Sequence, residues 1–164
     1  MASASVRLLD LITYLLPAAL WGGVPAAIQP LYTGWMFVAA AGYLTLAYFL
    51  FFKVDPERAR VGGLGFGLFN VLFVLILVPS ALWMPWTFAY LAEPSALMWS
   101  VVRAGLATTG LAALGMIAAL VLLEPREPAG LHKAAVAGAI GFFVQTGVLD
   151  ALLWPVWFPN LHGG

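Results

Sequence analysis

The chain has 164 residues, of which 63% are hydrophobic and only 9% charged, with a formal net charge of zero. A soluble domain carries about 25% charged residues, so this sequence lacks the polar cover that a fold in water needs, and a mean hydropathy of +1.00 points to lipid as its solvent. The absence of cysteine excludes disulfides, thiolate nucleophiles, cysteine-ligated zinc and iron–sulfur clusters, and with no basic excess or basic tail nucleic acid is not an expected partner.

A bilayer core of ~30 Å takes about 20 apolar residues per helix. Five windows qualify, at 8–28, 33–52, 61–84, 96–123 and 133–158. They predict an all-α integral membrane protein, a single bundle of five transmembrane helices over residues 1–164. The first window follows Arg7 and ends near Ala26-Ala27, an outline that a signal peptide shares; it is read here as a retained helix. Gln29-Pro30 is expected to form a short turn before the second span. The run from Lys53 to Arg60 makes a charged loop before the third. The segment from Trp83 through Pro94 is expected to be an aromatic, proline-containing connection, because proline stops or kinks a helix. Glu124-Pro-Arg-Glu-Pro128 forms a second charged loop ahead of the fifth span. No internal repeat is visible.

Basic residues in short loops face the cytoplasm. On a five-span topology one face collects Arg7, Lys53, Arg58, Arg60, Arg126 and Lys133, and the other has only Arg103, itself within the fourth span. The N-terminus is therefore expected inside and the C-terminus outside, in a prokaryotic inner membrane. On that topology all seven tryptophans, Trp21, Trp35, Trp83, Trp86, Trp99, Trp154 and Trp157, fall on the outer half. Eight prolines, from Pro17 to Pro159, crowd the same side. Two readings remain open: a one-sided aromatic belt, or indoles lining an outward-opening cavity, since ligand pockets are mostly apolar and aromatic with a few placed polar groups.

Ionisable groups inside a membrane are costly and mark candidate sites. Arg103 is expected ~9 Å deep in the fourth span and Asp150 ~12 Å deep in the fifth, from the 1.5 Å rise per residue. Matching depth on antiparallel neighbours predicts an ion pair or a water-bridged contact, serving either helix packing or the floor of an outer cavity. Gln145 lies about one turn below Asp150, with Thr146 beside it. Asn70, Thr108 and Thr109 are expected to act as interhelical glue. Asp10, Glu93, His132 and His162 sit near span ends, and no helical bis-histidine pair suggests a haem. Small-residue spacings, including Gly63-xxx-Gly67 at the opening of the third span and Gly105, Gly110, Gly115, Gly138 and Gly141 later, support close helix packing and leave a homodimer open.

Two short segments carry a family resemblance. Leu82-Trp83-Met84-Pro85-Trp86-Thr87-Phe88 resembles the L-W-x-P-x-x-F segment of the TspO/MBR family, the translocator proteins or tryptophan-rich sensory proteins, and Gly34-Trp35-Met36-Phe37 is similar to the W-x-F opening of that family's second helix. Asp150 corresponds to the family's asparagine near the end of the fifth helix. The long first loop, with its lysine-proline and double-proline tryptophan pattern, is replaced here by the far shorter Gln29-Pro30-Leu31-Tyr32. The resemblance implies binding of tetrapyrroles, sterols or similar flat apolar molecules in a bundle cavity.

The function expected first is therefore a receptor or carrier for a hydrophobic small molecule, such as a porphyrin, sterol or lipid. Trp35, Trp83, Trp86 and Trp154 would stack on it, and Arg103, Asp150 and Gln145 would anchor it. An accessory subunit of a larger membrane complex and a small proton-coupled transporter using Asp150 are the alternatives. No nucleophile–base pair, metal cluster or phosphate loop suggests an enzyme.

Overall fold

The computed structural model describes residues 20–158; most of the first expected span, with Arg7, Asp10 and His162, lies outside the described residues. Within them four helices are long and apolar enough to cross a membrane. They are α1 (Gln29–Phe52), α2 (Gly67–Ala92), α3 (Ala96–Leu122) and a composite helix running Ala129–Trp157. The composite begins as α4 (Ala129–Phe143), loosens into a π-helical stretch at Val144–Leu153 and ends as α5 (Trp154–Trp157). The outward faces are apolar too: Phe37 is 74% exposed and Leu111 70% exposed. In water such faces would be penalised, whereas in hydrocarbon they are solvated and the helices satisfy their own backbone groups.

The helices pack in the order α1, α4, α3, α2, so the first and last in that row are consecutive in sequence. Gly42 of α1 and Gly138 of α4 make the first crossing. A Cβ at Gly138 would lie 2.9 Å from the Gly42 Cα, so only hydrogen fits there. α3 approaches the π stretch through Gly110, whose Cβ would lie 2.9 Å from the Gly147 Cα. Small residues thus bring the backbones close, as in other lipid-embedded bundles, and these glycines are used within the chain. Two buried clusters fill the interior. One, around Leu46, Phe49, Phe69, Met116 and Ala135, lies at the end of the charged loops. The other gathers all seven tryptophans with Tyr32, Tyr90 and Phe158.

A small antiparallel sheet ties the two charged connections together. β1 (Arg60–Val61) pairs with β2 (Leu64–Gly65) across Gly62 and Gly63, both at positive φ, and with β3 (Leu123–Glu124) on its other edge. Nearby, side chains reach carbonyls in the last turn of α3, where the Leu123 N–H already bonds the Leu120 oxygen. His132 Nε2 lies 2.8 Å from the Leu120 oxygen, and Arg126 donates to the Val121 oxygen at 2.8 Å.

Several boundaries differ from the sequence expectation. Leu20 and Trp21 are helical, but the chain turns at Gly22 (φ 56°), so the first span stops short of Ile28. Gln29-Pro30 is the first turn of α1 rather than a loop, a position where proline lacks no needed N–H. α2 continues through Pro79 and Pro85 to Ala92, eight residues beyond its expected end at Met84. In lipid, unwinding would expose more backbone than the two missing N–H groups cost. Gly63-xxx-Gly67 does not open a helix: Gly63 turns the hairpin, and only Gly67 enters α2.

Candidate functional site

A cavity of about 430 Å³ lies at the tryptophan end between α1 and α2, with α3 and the π stretch behind it. The volume falls within the ~300–1,000 Å³ of small-molecule sites. Toward the opposite end α1 and α2 meet through Phe73, whose ring lies 6.2 Å from Tyr43 and 5.1 Å from Phe51. The indoles of Trp21, Trp83 and Trp154 wall the cavity together with Tyr32, Pro79 and Leu106. Met36 and Met84 line it while remaining exposed, so they mark its rim. Each sits roughly 10–12 Å from its helix end at 1.5 Å per residue, which places the rim beside the apolar part of the bundle.

The polar floor is a product of the π geometry. At 3.6 residues per turn, a five-residue step carries a side chain roughly 140° around an α-helix. Bonding from i to i+5 widens the turn and brings residue 150 back over residue 145. Gln145 Nε2 accordingly donates to Asp150 Oδ1 at 2.8 Å, and both residues line the cavity. Gln145 is 7% exposed, and its Oε1 has no hydrogen-bond partner; nor does the Nε1–H of Trp83. The hydroxyls on the wall donate to backbone carbonyls. Tyr32 donates to the Leu149 oxygen at 3.0 Å, Ser80 to Ile76 at 2.6 Å, Thr109 to Gly105 at 3.2 Å and Thr146 to Phe142 at 3.0 Å.

Of the seven residues expected to bind a ligand, the structure brings four together here: Trp83, Trp154, Gln145 and Asp150. Trp154 is 5% exposed, donates from Nε1 to the Leu20 oxygen at 3.0 Å, and meets Trp83 edge-on at 5.9 Å. Trp35 lies off the wall and donates to the Gly141 oxygen at 3.0 Å, tying α1 to α4. Trp86 is also off the wall and covers Gly105 of α3, where a Cβ would lie 2.6 Å from the ring. Arg103 is exposed, lines no part of the cavity and forms no ion pair with Asp150. Depth was matched, but direction was not. The buried face of α3 runs through Val102, Gly105, Leu106, Thr109 and Ala113, and Arg103 stands one residue, roughly 100°, off it.

The threonines do not join helices either. Thr108, Thr109 and Thr146 each bond the carbonyl four residues earlier in their own helix, and Asn70 is exposed. Sequence reading missed Tyr32, Met36, Pro79, Ser80, Leu106 and Thr109 as wall residues. Tyr32 was hidden by the expected turn at Gln29-Pro30. Leu106 and Thr109 could have been found from their spacing with Val102 and Ala113, one stripe of α3. Among the described residues no group of three or more His, Cys, Asp or Glu is placed to hold a metal ion.

Among the described residues, fold and site together define a helical bundle with four membrane-length helices and an indole-walled cavity at one end. No family model matches the chain, and no curated protein or solved structure matches it.

Proposed function

We propose that this is a five-span inner-membrane protein that binds a hydrophobic, flat small molecule in the tryptophan-walled cavity, acting as a receptor or carrier. In this reading the N-terminus is cytoplasmic and the cavity lies at the non-cytoplasmic end. The observation that carries the proposal is the pairing of an apolar, indole-lined space of about 430 Å³ with a buried polar floor of Gln145 and Asp150. Apolar walls with a few convergent polar groups are what small-molecule sites are made of. Trp154 is buried and the other six indoles are partly buried in the same cluster, which supports the inward-facing reading over a lipid-facing belt. The sheet that joins the two charged loops keeps Arg58, Arg60 and Arg126 at the end of the bundle away from the tryptophan cluster, which supports the orientation. The TspO/MBR-like segments around Trp35 and Trp83 support a ligand of the tetrapyrrole or sterol class. A rim flanked by Met36 and Met84 favours entry from the bilayer.

The test is titration of the purified, detergent-solubilised protein with protoporphyrin and with a sterol, following tryptophan fluorescence. Saturable quenching at micromolar ligand, weakened at least tenfold by Leu106→Trp, which fills the cavity, is the expected result. Quenching that rises linearly without saturation, and equally in the filled variant, would count against a binding site.

A further inference from the structure

The free hydrogen-bonding capacity of the cavity is lopsided. Every hydroxyl on its wall is spent on a backbone carbonyl. What remains among the described residues is the Asp150 carboxyl, whose hydrogen bond is from Gln145, the unpartnered Gln145 Oε1, and the indole N–H groups of Trp21 and Trp83. With Asp150 ionised, the Gln145 amide keeps this orientation, because turning it over would set its oxygen against a carboxylate oxygen. Among the described residues Asp150 has no cationic partner: Arg103 is exposed on another face of α3, and Lys53, Arg58, Arg60, Arg126 and Lys133 belong to the loops and helix start at the opposite end. A carboxylate in an apolar surround is costly until a cation pairs with it. The faces of Trp21, Trp83 and Trp154 supply further attraction for positive charge.

We propose that the ligand is a lipophilic primary or secondary amine bound as its ammonium ion, with N–H groups donated to Asp150 and Gln145 Oε1 and the apolar body held among the indoles. The inference rests on the cavity being a ligand site and names the chemistry of the ligand's head. Trp83 N–H remains for an oxygen of the same molecule.

The experiment compares 1-naphthylmethylammonium with its neutral isostere 1-ethylnaphthalene, by calorimetry on the full chain in nanodiscs and on Asp150→Asn. The ammonium is expected to bind about tenfold or more tightly than the isostere, the scale of a charge-assisted hydrogen bond. Asp150→Asn should abolish that preference while leaving the isostere's affinity within about twofold. Gln145→Met, which keeps the volume and removes the acceptor, should lower ammonium affinity in the same direction if the aspartate variant does not fold. Equal saturable binding of both probes to the wild type overturns the head-group inference and leaves the cavity reading standing. Saturable binding of protoporphyrin or sterol with no binding of the ammonium does the same. Failure of all four compounds to bind saturably overturns both.

Discussion

Replacing Gly138 by alanine tests the packing that shapes the cavity. The added Cβ would sit 2.9 Å from the Gly42 Cα and closer still to the Gly42 carbonyl oxygen, against the 3.4 Å or more of ordinary contact. Both obstacles are backbone, so no side chain can swing aside, and α1 must move from α4 by at least about 0.5 Å, a gap that forfeits a quarter or more of each contact's attraction. The same displacement stretches Trp35 Nε1 to Gly141 O and Tyr32 Oη to Leu149 O, both 3.0 Å now, to the edge of hydrogen bonding. Overpacking of this kind costs about 1–3 kcal/mol, which corresponds to a fall in Tm of roughly 3–10 °C for a chain of this length. The assay is thermal unfolding in detergent followed by tryptophan fluorescence. Gly34→Ala is the internal control, because nothing lies within 4 Å of a Cβ at Gly34; alanine in place of glycine inside a helix should raise stability by about 0.5–1 kcal/mol. If Gly138→Ala unfolds at or above the wild-type temperature, as Gly34→Ala should, the close crossing is not what holds α1 to α4.

Three further outcomes follow from single contacts. Arg103→Gln should leave unfolding within about 0.5 kcal/mol of wild type, since Arg103 is exposed and unpaired with Asp150; a loss of 3 kcal/mol or more would mean a buried ion pair exists after all. Trp154→Phe keeps an aromatic ring but is smaller and removes the 3.0 Å bond to the Leu20 oxygen, so it should cost at least about 1 kcal/mol and increase proteolytic cleavage near residue 20. His132→Ala removes the 2.8 Å contact at the Leu120 oxygen and the edge-on packing against Phe49 at 5.6 Å. It should lower stability by about 1–3 kcal/mol, and hydrogen exchange should rise at the C-terminal end of α3 rather than at the tryptophan end.

Much of the architecture was legible in the sequence, because lipid imposes a simple rule on it. Apolar runs of the right length must be helices when no water is present to satisfy the backbone, and the expected fourth span at 96–123 falls within a residue of α3 at Ala96–Leu122. Proline was the main source of error. At Pro30 and Pro85 a rule drawn from helices in water suggested breaks; Pro30 instead opens α1, and α2 runs through Pro85 to Ala92. The two-residue strands were invisible, since their pairing joins residue 60 to residue 124 and no local pattern records it.

The candidate site divides along the same line. Position along the sequence sufficed to gather the tryptophans at one end of the bundle and to put Asp150 within a membrane-length segment, because linear position along a helix of fixed rise gives depth. Direction around the axis is a different quantity. It depends on which face each helix turns to its neighbours and on the local winding of the helix itself. The π-helical stretch places Gln145 under Asp150, and the packed face of α3 turns Arg103 away from both. Neither could be computed from depth, so only the tertiary structure decided that the cavity floor is an acid bonded to an amide rather than an ion pair with Arg103.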